Sequence, residues 1–586
     1  MMKIVFVLIM MVSLSVMIQK TYASQPLPNI LLVVLDDVGF MGLGAYGSDA
    51  NTPHIDKLAQ GGAQFTRYYT APLCGPSRAM LMTGLNSHEM GMSTLAEALT
   101  PEMTQHPSYS MLWQDNQKTL ASRLQSSGYQ TFASGKWGIG RVGKNLPHRF
   151  GFERSFVLDS TGASNYTEKP YLAIYESVKW FEDGKQVSLP ANFYSSRNIV
   201  DKMINYIDES DIHKPFFGYL SLQAIHIPVQ VPVEYIDKYN GTFDKGWDHM
   251  RKERLQRAIN LGLVPDTASL SDTPPNHRKW DALSAPDKDY WARMMQVNAG
   301  MMDAADHHIG RLINRLDELG KLDNTIIIIT SDNGPEFNTI GQGDRGFIMG
   351  IAEQIWMKTK GWDLHFDNLG QAGSLAAIGA EWALVSSAPL SLYKFNSSEG
   401  GQRVPLIIAG PGIESQGLVH PRAHVSDIVP TVLDKVGISF SPDEFYGRSL
   451  MPLLSEQKID VWANDDFAIE VSGNASLYRG DWKVVSVKAP LGDEKWRLYN
   501  VLADPGETIN LASEFPELYQ DMLSEYAAYV QRFNIIELAE GESAIKQVAI
   551  NSIKLWSLNN WLILLIIALI ITSLSLLLIK LMSKRQ

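Results

Sequence analysis

The stretch Asn29-Ile-Leu-Leu-Val-Val-Leu35-Asp36-Asp37 decides the fold. Seven residues with an unbroken aliphatic run read as a strand buried on both faces, as in a parallel sheet. Two adjacent carboxylates close it, at the end where open α/β sheets hold their ligands. The same pattern recurs three times. Tyr129–Ser134 runs into Gly135-Lys136-Trp137-Gly138, Pro215–Leu222 into Ala224-Ile225-His226, and Asn324–Thr330 into Ser331-Asp332-Asn333. Singly, each ending has an ordinary explanation: a solvated Asp-Asp turn, a lysine in a tight glycine turn, a structural histidine. Together, four apolar strands that each deliver a chemically able side chain imply a mostly parallel sheet with a site along one edge. Helical patterns stand between them, opened by Thr52-Pro53 and at Lys118–Ser127, Asn198–Asp208 and Asp289–Leu319.

The chain of 586 residues is long enough for two or three domains. With 45% hydrophobic and 19% charged residues it has the composition of a folded protein. A formal charge of −12 and the lack of a basic stripe argue against a nucleic-acid partner, and an anionic ligand would need local cations. The single cysteine, Cys74, excludes internal disulfides and thiolate metal cages. Residues 1–23 read as a secretory signal. Trp561–Ile579 is nearly unbroken Leu and Ile, with Trp556 and Trp561 at one edge and Lys580, Lys584 and Arg585 at the other. Hydropathy and flanking charge predict a C-terminal membrane helix with the body outside the cytoplasm. Gly341–Ser387 lacks periodicity and reads as a long surface beside the site. Beyond Asp460 short alternating strands predict a small antiparallel sheet, with a helix over Phe515–Arg532.

Ala71-Pro-Leu-Cys74-Gly-Pro76-Ser77-Arg78-Ala-Met-Leu-Met-Thr-Gly84 packs a thiol, a rigid turn, a hydroxyl and a cation into five residues. A lone cysteine is ordinarily a buried hydrophobe. Here the run Cys-x-Pro-Ser-Arg-Ala-x-Leu-x-Thr-Gly resembles the signature of the sulfatase family, in which that cysteine is oxidised after synthesis to formylglycine. The resemblance extends over residues 28–530 and is nearest to bacterial arylsulfatases, through Gly246-Trp247 to Leu263, Trp280–Ser284 and Ser386–Leu390.

That resemblance implies an α/β, alkaline-phosphatase-like fold: a large, mostly parallel mixed sheet flanked by helices, a smaller C-terminal α+β domain with an antiparallel sheet, and a C-terminal transmembrane helix. The corresponding divisions are a signal peptide over 1–23, a sulfatase catalytic domain over 24–455, a sheet-and-helix subdomain over 456–535, a linker over 536–560, a transmembrane helix over 561–580 and a cytoplasmic tail over 581–586. The expected location is a single-pass membrane anchor with the catalytic domain on the periplasmic side of a bacterial inner membrane. The implied activity is hydrolysis of sulfate monoesters to an alcohol or phenol and sulfate.

By the same resemblance Asp36, Asp37, Asp332 and Asn333 hold one Ca²⁺, with an oxygen of modified Cys74 completing the shell; Mg²⁺ ranks second because it more often keeps several waters. Lys136 and Lys394 stabilise charge on the transferring group, Arg78 orients the nucleophile, and His226 binds sulfate and protonates the leaving oxygen. The implied partners are a small-molecule or glycan sulfate ester and a formylglycine-generating or other sulfatase-maturing enzyme. One position departs: sulfatases commonly carry Gly-Lys-Trp-His, and here Gly138 stands in the last place. The alternatives are phosphonate or phosphate ester hydrolysis within the same superfamily, and a tethered anion-binding homologue with weakened catalysis.

Overall fold

The computed structural model describes residues 26–340, 347–414, 416–455 and 457–562, with 565–566, 569–570 and 572–576 beyond them. The signal peptide expected over 1–23 lies outside the described residues.

The strand Asn29–Leu35 lies at the centre of the large sheet, parallel to Phe216–Ser221 on one side and to Thr325–Ser331 on the other. Its alternate residues face two apolar layers: Leu31, Val33 and Leu35 enter one cluster, and Ile30, Leu32 and Val34 the other. Burial of both faces is why the strand is apolar at every position rather than every second one. In spatial order the sheet runs Gly417–Val419, Ala63–Tyr69, Arg403–Ala409, Thr325–Ser331, Asn29–Leu35, Phe216–Ser221, Gln130–Lys136, Arg154–Leu158, Trp180–Glu182 and Lys185–Val187, with Ala423–His424 also paired to Ala63–Tyr69. It is mixed, because Arg403–Ala409 runs antiparallel to both of its neighbours.

Register brings the chemistry together. Leu35 pairs with Ser331, Val34 with Ser221, and Gly135 with Ser221, so Asp36, Asp332, Lys136 and the chain leading to His226 emerge along one edge. Asp36 N donates to Ala224 O at 2.8 Å and Ile225 N to Asp36 O at 2.7 Å, fastening the two exits to each other.

Asp466–Val471, Asn474–Arg479, Trp482–Ser486 and Arg497–Asn500 form a four-stranded antiparallel sheet, covered by the helix Pro516–Phe533 through Met522, Tyr526 and Tyr529. The sequence stretch 341–387, read as aperiodic, contains the helices Phe347–Thr359 and Gly379–Ser386.

The C-terminal region corrects the sequence reading. Residues 536–560, expected as a linker, include the helix Ala544–Asn559. Gln547 and Asn551 on this helix donate to Leu99 O, and Asn551 also donates to Glu97 O at 2.8 Å. Among the described residues no helix is long and apolar enough to cross a membrane. That finding overturns the expected transmembrane helix over 561–580, and with it the C-terminal anchor and the membrane localisation. Hydropathy alone does not separate a spanning helix from aliphatic chain with another role. The helix leading into this stretch carries Lys546 and Lys554 and spends polar side chains on the protein body. Positions 563, 564, 567, 568, 571 and 577–586, including the basic flank, lie outside the described residues.

Candidate active site

Cys74 is the first residue of the helix Cys74–Thr83, whose ten residues are all buried. The sequence reading identified this stretch by its motif and not by a helical pattern. Burial raises the Cys74 thiol above its ordinary range, against the pull of Lys136 and Lys394. An unmodified thiol here is held protonated, and the thiol form is a weak nucleophile.

Asp36, Asp37, Arg78, Lys136, His226, Asp332, Asn333 and Lys394 all enter one buried cluster. Lys136 Nζ donates to Asp36 Oδ2 at 2.6 Å, and Lys394 Nζ to Asp37 Oδ1 at 2.7 Å. Arg78 donates through Nε to Asp332 Oδ2 at 2.7 Å, and to Ser221 Oγ at 2.5 Å and Lys136 O at 3.0 Å. Asn333 Nδ2 donates to Asp37 Oδ1 at 2.7 Å, which turns the Asn333 carbonyl oxygen the other way.

Asp36 Oδ1, Asp37 Oδ2, Asn333 Oδ1 and one terminal nitrogen of Arg78 are buried without a hydrogen bond, although that nitrogen and Asp36 Oδ1 form an ion pair at 3.5 Å. Buried polar atoms are rarely left so, and three of these four are hard oxygen donors. Ligand atoms of Asp36, Asp37 and His226 lie within 4.8 Å of one another, a spacing that can hold a metal ion. The residues therefore fit a divalent cation. The Asp332 oxygens accept from Arg78 Nε and from Asp37 N at 3.3 Å and retain further lone pairs.

Burial pushes the Asp37 carboxyl up to about 7; Lys394 opposes this, while Asp36, Glu336 and Asp332 reinforce it. Burial alone would lower the Lys394 ammonium, yet Asp37 and Glu336 hold it well above its usual range. Burial, then Lys136 and Lys394, keep His226 far below the ordinary imidazole range. Its Nδ1 lies 2.6 Å from Ile227 O, and a carbonyl only accepts, so the ring proton sits on Nδ1. Nε2 is then bare and faces Asp37 Oδ2 at 3.8 Å. Tyr171 packs edge-on against this ring, with centroids 5.1 Å apart. Gly162 allows the approach, because a Cβ there would lie 2.7 Å from the imidazole.

Glu336 was missed by the sequence reading. Its Oε2 is 3.3 Å from Lys394 Nζ, and Oε1 accepts from Phe337 N and Asn338 N. The available signal was an acidic residue three positions after Asn333, on the same strand exit. Tyr219 and Ser221, which brace Arg78, were hidden because they belong to an apolar strand.

A family model described as Sulfatase matches residues 28–438. An uncharacterized sulfatase of Schizosaccharomyces pombe is 31% identical over 531 residues, covering 87% of this chain and 94% of that protein. An arylsulfatase of Klebsiella aerogenes is 31% identical over 431 residues, covering 71% and 88%. Among solved structures, Ps i-CgsB in complex with a neocarrahexaose aligns at 22% identity with a TM-score of 0.62, covering 90% of this chain and 97% of that one, which shows a shared fold. The chain belongs to the sulfatase family. It is an enzyme that hydrolyses sulfate esters, and the buried acidic cluster suits the divalent metal typical of that family.

Proposed function

We propose that the chain is an arylsulfatase-type hydrolase of sulfate monoesters that works through Cys74 converted to formylglycine, with one Ca²⁺ at Asp36, Asp37, Asp332 and Asn333. The charge balance carries this reading. The carboxylates of Asp36, Asp37, Asp332 and Glu336 outnumber the cations of Lys136, Lys394 and Arg78 by one. A divalent ion reverses that to one net positive charge, the complement of the single negative charge on a sulfate monoester. A phosphate monoester carries more negative charge and matches it less well. Flexible, oxygen-only donors favour Ca²⁺ over Mg²⁺.

Formylglycine would supply a hydrated aldehyde as nucleophile, and the ion would polarise it and the sulfate oxygens. The remaining work falls to the chain's own side chains. Lys136 and Lys394 present ammonium groups to the sulfate oxygens, from positions fixed by their carboxylate partners. Arg78 is held by Asp332, Ser221 and Lys136 O, and its remaining terminal nitrogen, without a hydrogen bond and 3.5 Å from Asp36 Oδ1, would orient the group at position 74. With its Nδ1 proton committed to Ile227 O, His226 must gain a proton at Nε2 before it can donate to a leaving oxygen. An anionic ester placed between Lys136 and Lys394 offsets the charges that keep the imidazole neutral, and so favours that uptake.

Aryl and sugar sulfates both fit this machinery; relatives named arylsulfatase and N-acetylglucosamine-6-O-sulfatase support either. Its maturation requires an enzyme that oxidises Cys74. The test is turnover of a nitrophenyl sulfate against the matching phosphate, in wild type and Cys74→Ala. The reading expects sulfate preference and loss of at least ~10³-fold in the variant, the size of effect expected when a nucleophile is removed. Equal phosphate turnover, or activity surviving without Cys74, would contradict it.

A further inference from the structure

A small cavity adjoins the reaction site. It is lined by the backbone at Gly75 and Gly138 and by Glu97, Asp159, Ser160 and Tyr175. Gly75 follows Cys74 directly. A Cβ at Gly138 would lie 3.4 Å from Lys136 Cε and 3.5 Å from Ser160 O, so the cavity reaches the side of the sulfate-binding lysine. The free volume is about 20 Å³, room for one group the size of a water molecule.

The polar side chains of the wall are two acids, Glu97 and Asp159, and several hydroxyls. Asp159 is 2% exposed, and the hydrogen bond recorded to its side chain comes from Gly143 N. Glu97 accepts from the Tyr175 hydroxyl. Ser160 Oγ is buried with no partner at all. Among the described residues no basic side chain pairs with Glu97 or Asp159. A sequestered Asp159 beside a half-buried Glu97, with no cation on either, is costly, and a lone buried hydroxyl adds to that cost. The complementary ligand is small, positively charged and rich in N–H donors, which describes an ammonium group; a guanidinium or a sugar ring exceeds the volume.

The cavity is also tied to the leaving-group side. Thr161 Oγ1 lies 3.2 Å from the Tyr175 hydroxyl and 3.0 Å from that of Tyr171, whose ring packs on His226. The segment bearing Glu97 is pinned from outside by Asn551, which donates to Glu97 O. Resting on the sulfate-ester reading above, we propose that the cavity formed by Glu97, Asp159 and Ser160 receives a protonated amine carried by the alcohol part of the ester. The substrate class is then an amine-bearing sulfate ester, and Gly138 is the opening through which the amine enters.

The test uses the full-length protein and two matched pairs of esters: glucosamine 6-sulfate against glucose 6-sulfate, and an aminomethyl-substituted phenyl sulfate against its methyl analogue. Binding is read by calorimetry and turnover as kcat/KM. In wild type, at least one pair should show a preference for the amine of about tenfold or more, the worth of one charge-assisted hydrogen bond. Glu97→Gln and Asp159→Asn should reduce that ratio to within about twofold of unity, and Ser160→Ala, the mildest change, should reduce it in part. Equal binding of both members of both pairs by wild type overturns the proposal, as does a preference that survives in the Glu97→Gln and Asp159→Asn variants. If no ester turns over but amine-dependent binding is lost in the variants, the hydrolase reading fails and this one stands. If all four esters turn over without preference, the reverse holds.

Discussion

Lys394 Nζ lies 2.7 Å from Asp37 Oδ1 and 3.3 Å from Glu336 Oε2, so one buried ammonium is shared between two carboxylates. Asp37 is thereby held in place by a cation while its other oxygen stays unpartnered. Glu336 acts on the site through Lys394.

Glu336→Gln tests that arrangement. Glutamine keeps a carbonyl oxygen for the Phe337 and Asn338 amides, so the loop should persist. The lost charge releases Lys394 toward Asp37 and weakens the hold on a cation. We expect kcat/KM for an aryl sulfate to fall about tenfold or more, the scale seen when a metal site's supporting groups are altered. The metal concentration needed for half-maximal activity should rise. Unchanged metal dependence would remove Glu336 from the site's support.

Metal removal should destabilise the fold as well as stop turnover, because Asp36, Asp37 and Asp332 would lose the cation that offsets their charge. An ion present at a hundred times its dissociation constant contributes about 2.7 kcal/mol, so chelation should lower Tm of a chain this long by roughly 2 °C. Ca²⁺ should restore Tm at lower concentration than Mg²⁺. Equal effects of the two ions, or no shift, would count against the assigned ion.

Asp159 gives a pH dependence with a definite sign. Burial pushes its carboxyl up to about 7, well above the ordinary aspartate value. The folded state therefore favours the neutral acid. That contribution is complete below about pH 4 and is lost as pH rises through about 7. Asp159→Asn is neutral throughout and retains an oxygen for Gly143 N. The wild-type thermal midpoint should thus fall relative to the variant between roughly pH 4 and 8, a span worth a few kcal/mol. Parallel stability curves would contradict the raised pKa.

Gly138→His completes the Gly-Lys-Trp-His pattern from which this chain departs. The space accepts a Cβ, but the backbone sits at φ +60°, where a side chain is strained. Stability should drop by about 1 kcal/mol. The imidazole would stand at the cavity's opening, so affinity for amine-bearing esters should fall while that for neutral esters falls less. A variant as stable as wild type would argue that this backbone relaxes.

The central strands were legible because both faces are covered and the sequence is therefore apolar without interruption, as at Asn29–Leu35. Their polar exits at Asp36, Lys136, His226 and Asp332 were legible for the same reason: each interrupts such a run. What lies in loops was not. Glu97, Asp159 and Tyr175 meet through loops with no period, and only the folded chain shows them around one cavity. Tyr219 and Ser221 read as strand filling until Arg78 is seen against them. At the C-terminus, aliphatic content suggested a membrane span, whereas no described helix meets that requirement. The helix Ala544–Asn559 was overlooked because its polar residues point at the protein and blur the amphipathic pattern.

The central claim is that Cys74 is the modified nucleophile at this edge of the sheet. It is tested most directly by mass spectrometry of the peptide spanning Tyr68–Arg78, from protein produced in its natural host. The account predicts an aldehyde at position 74, reactive toward hydrazides and inert toward thiol alkylation. A wholly unmodified thiol in enzyme that still hydrolyses sulfate esters would contradict it.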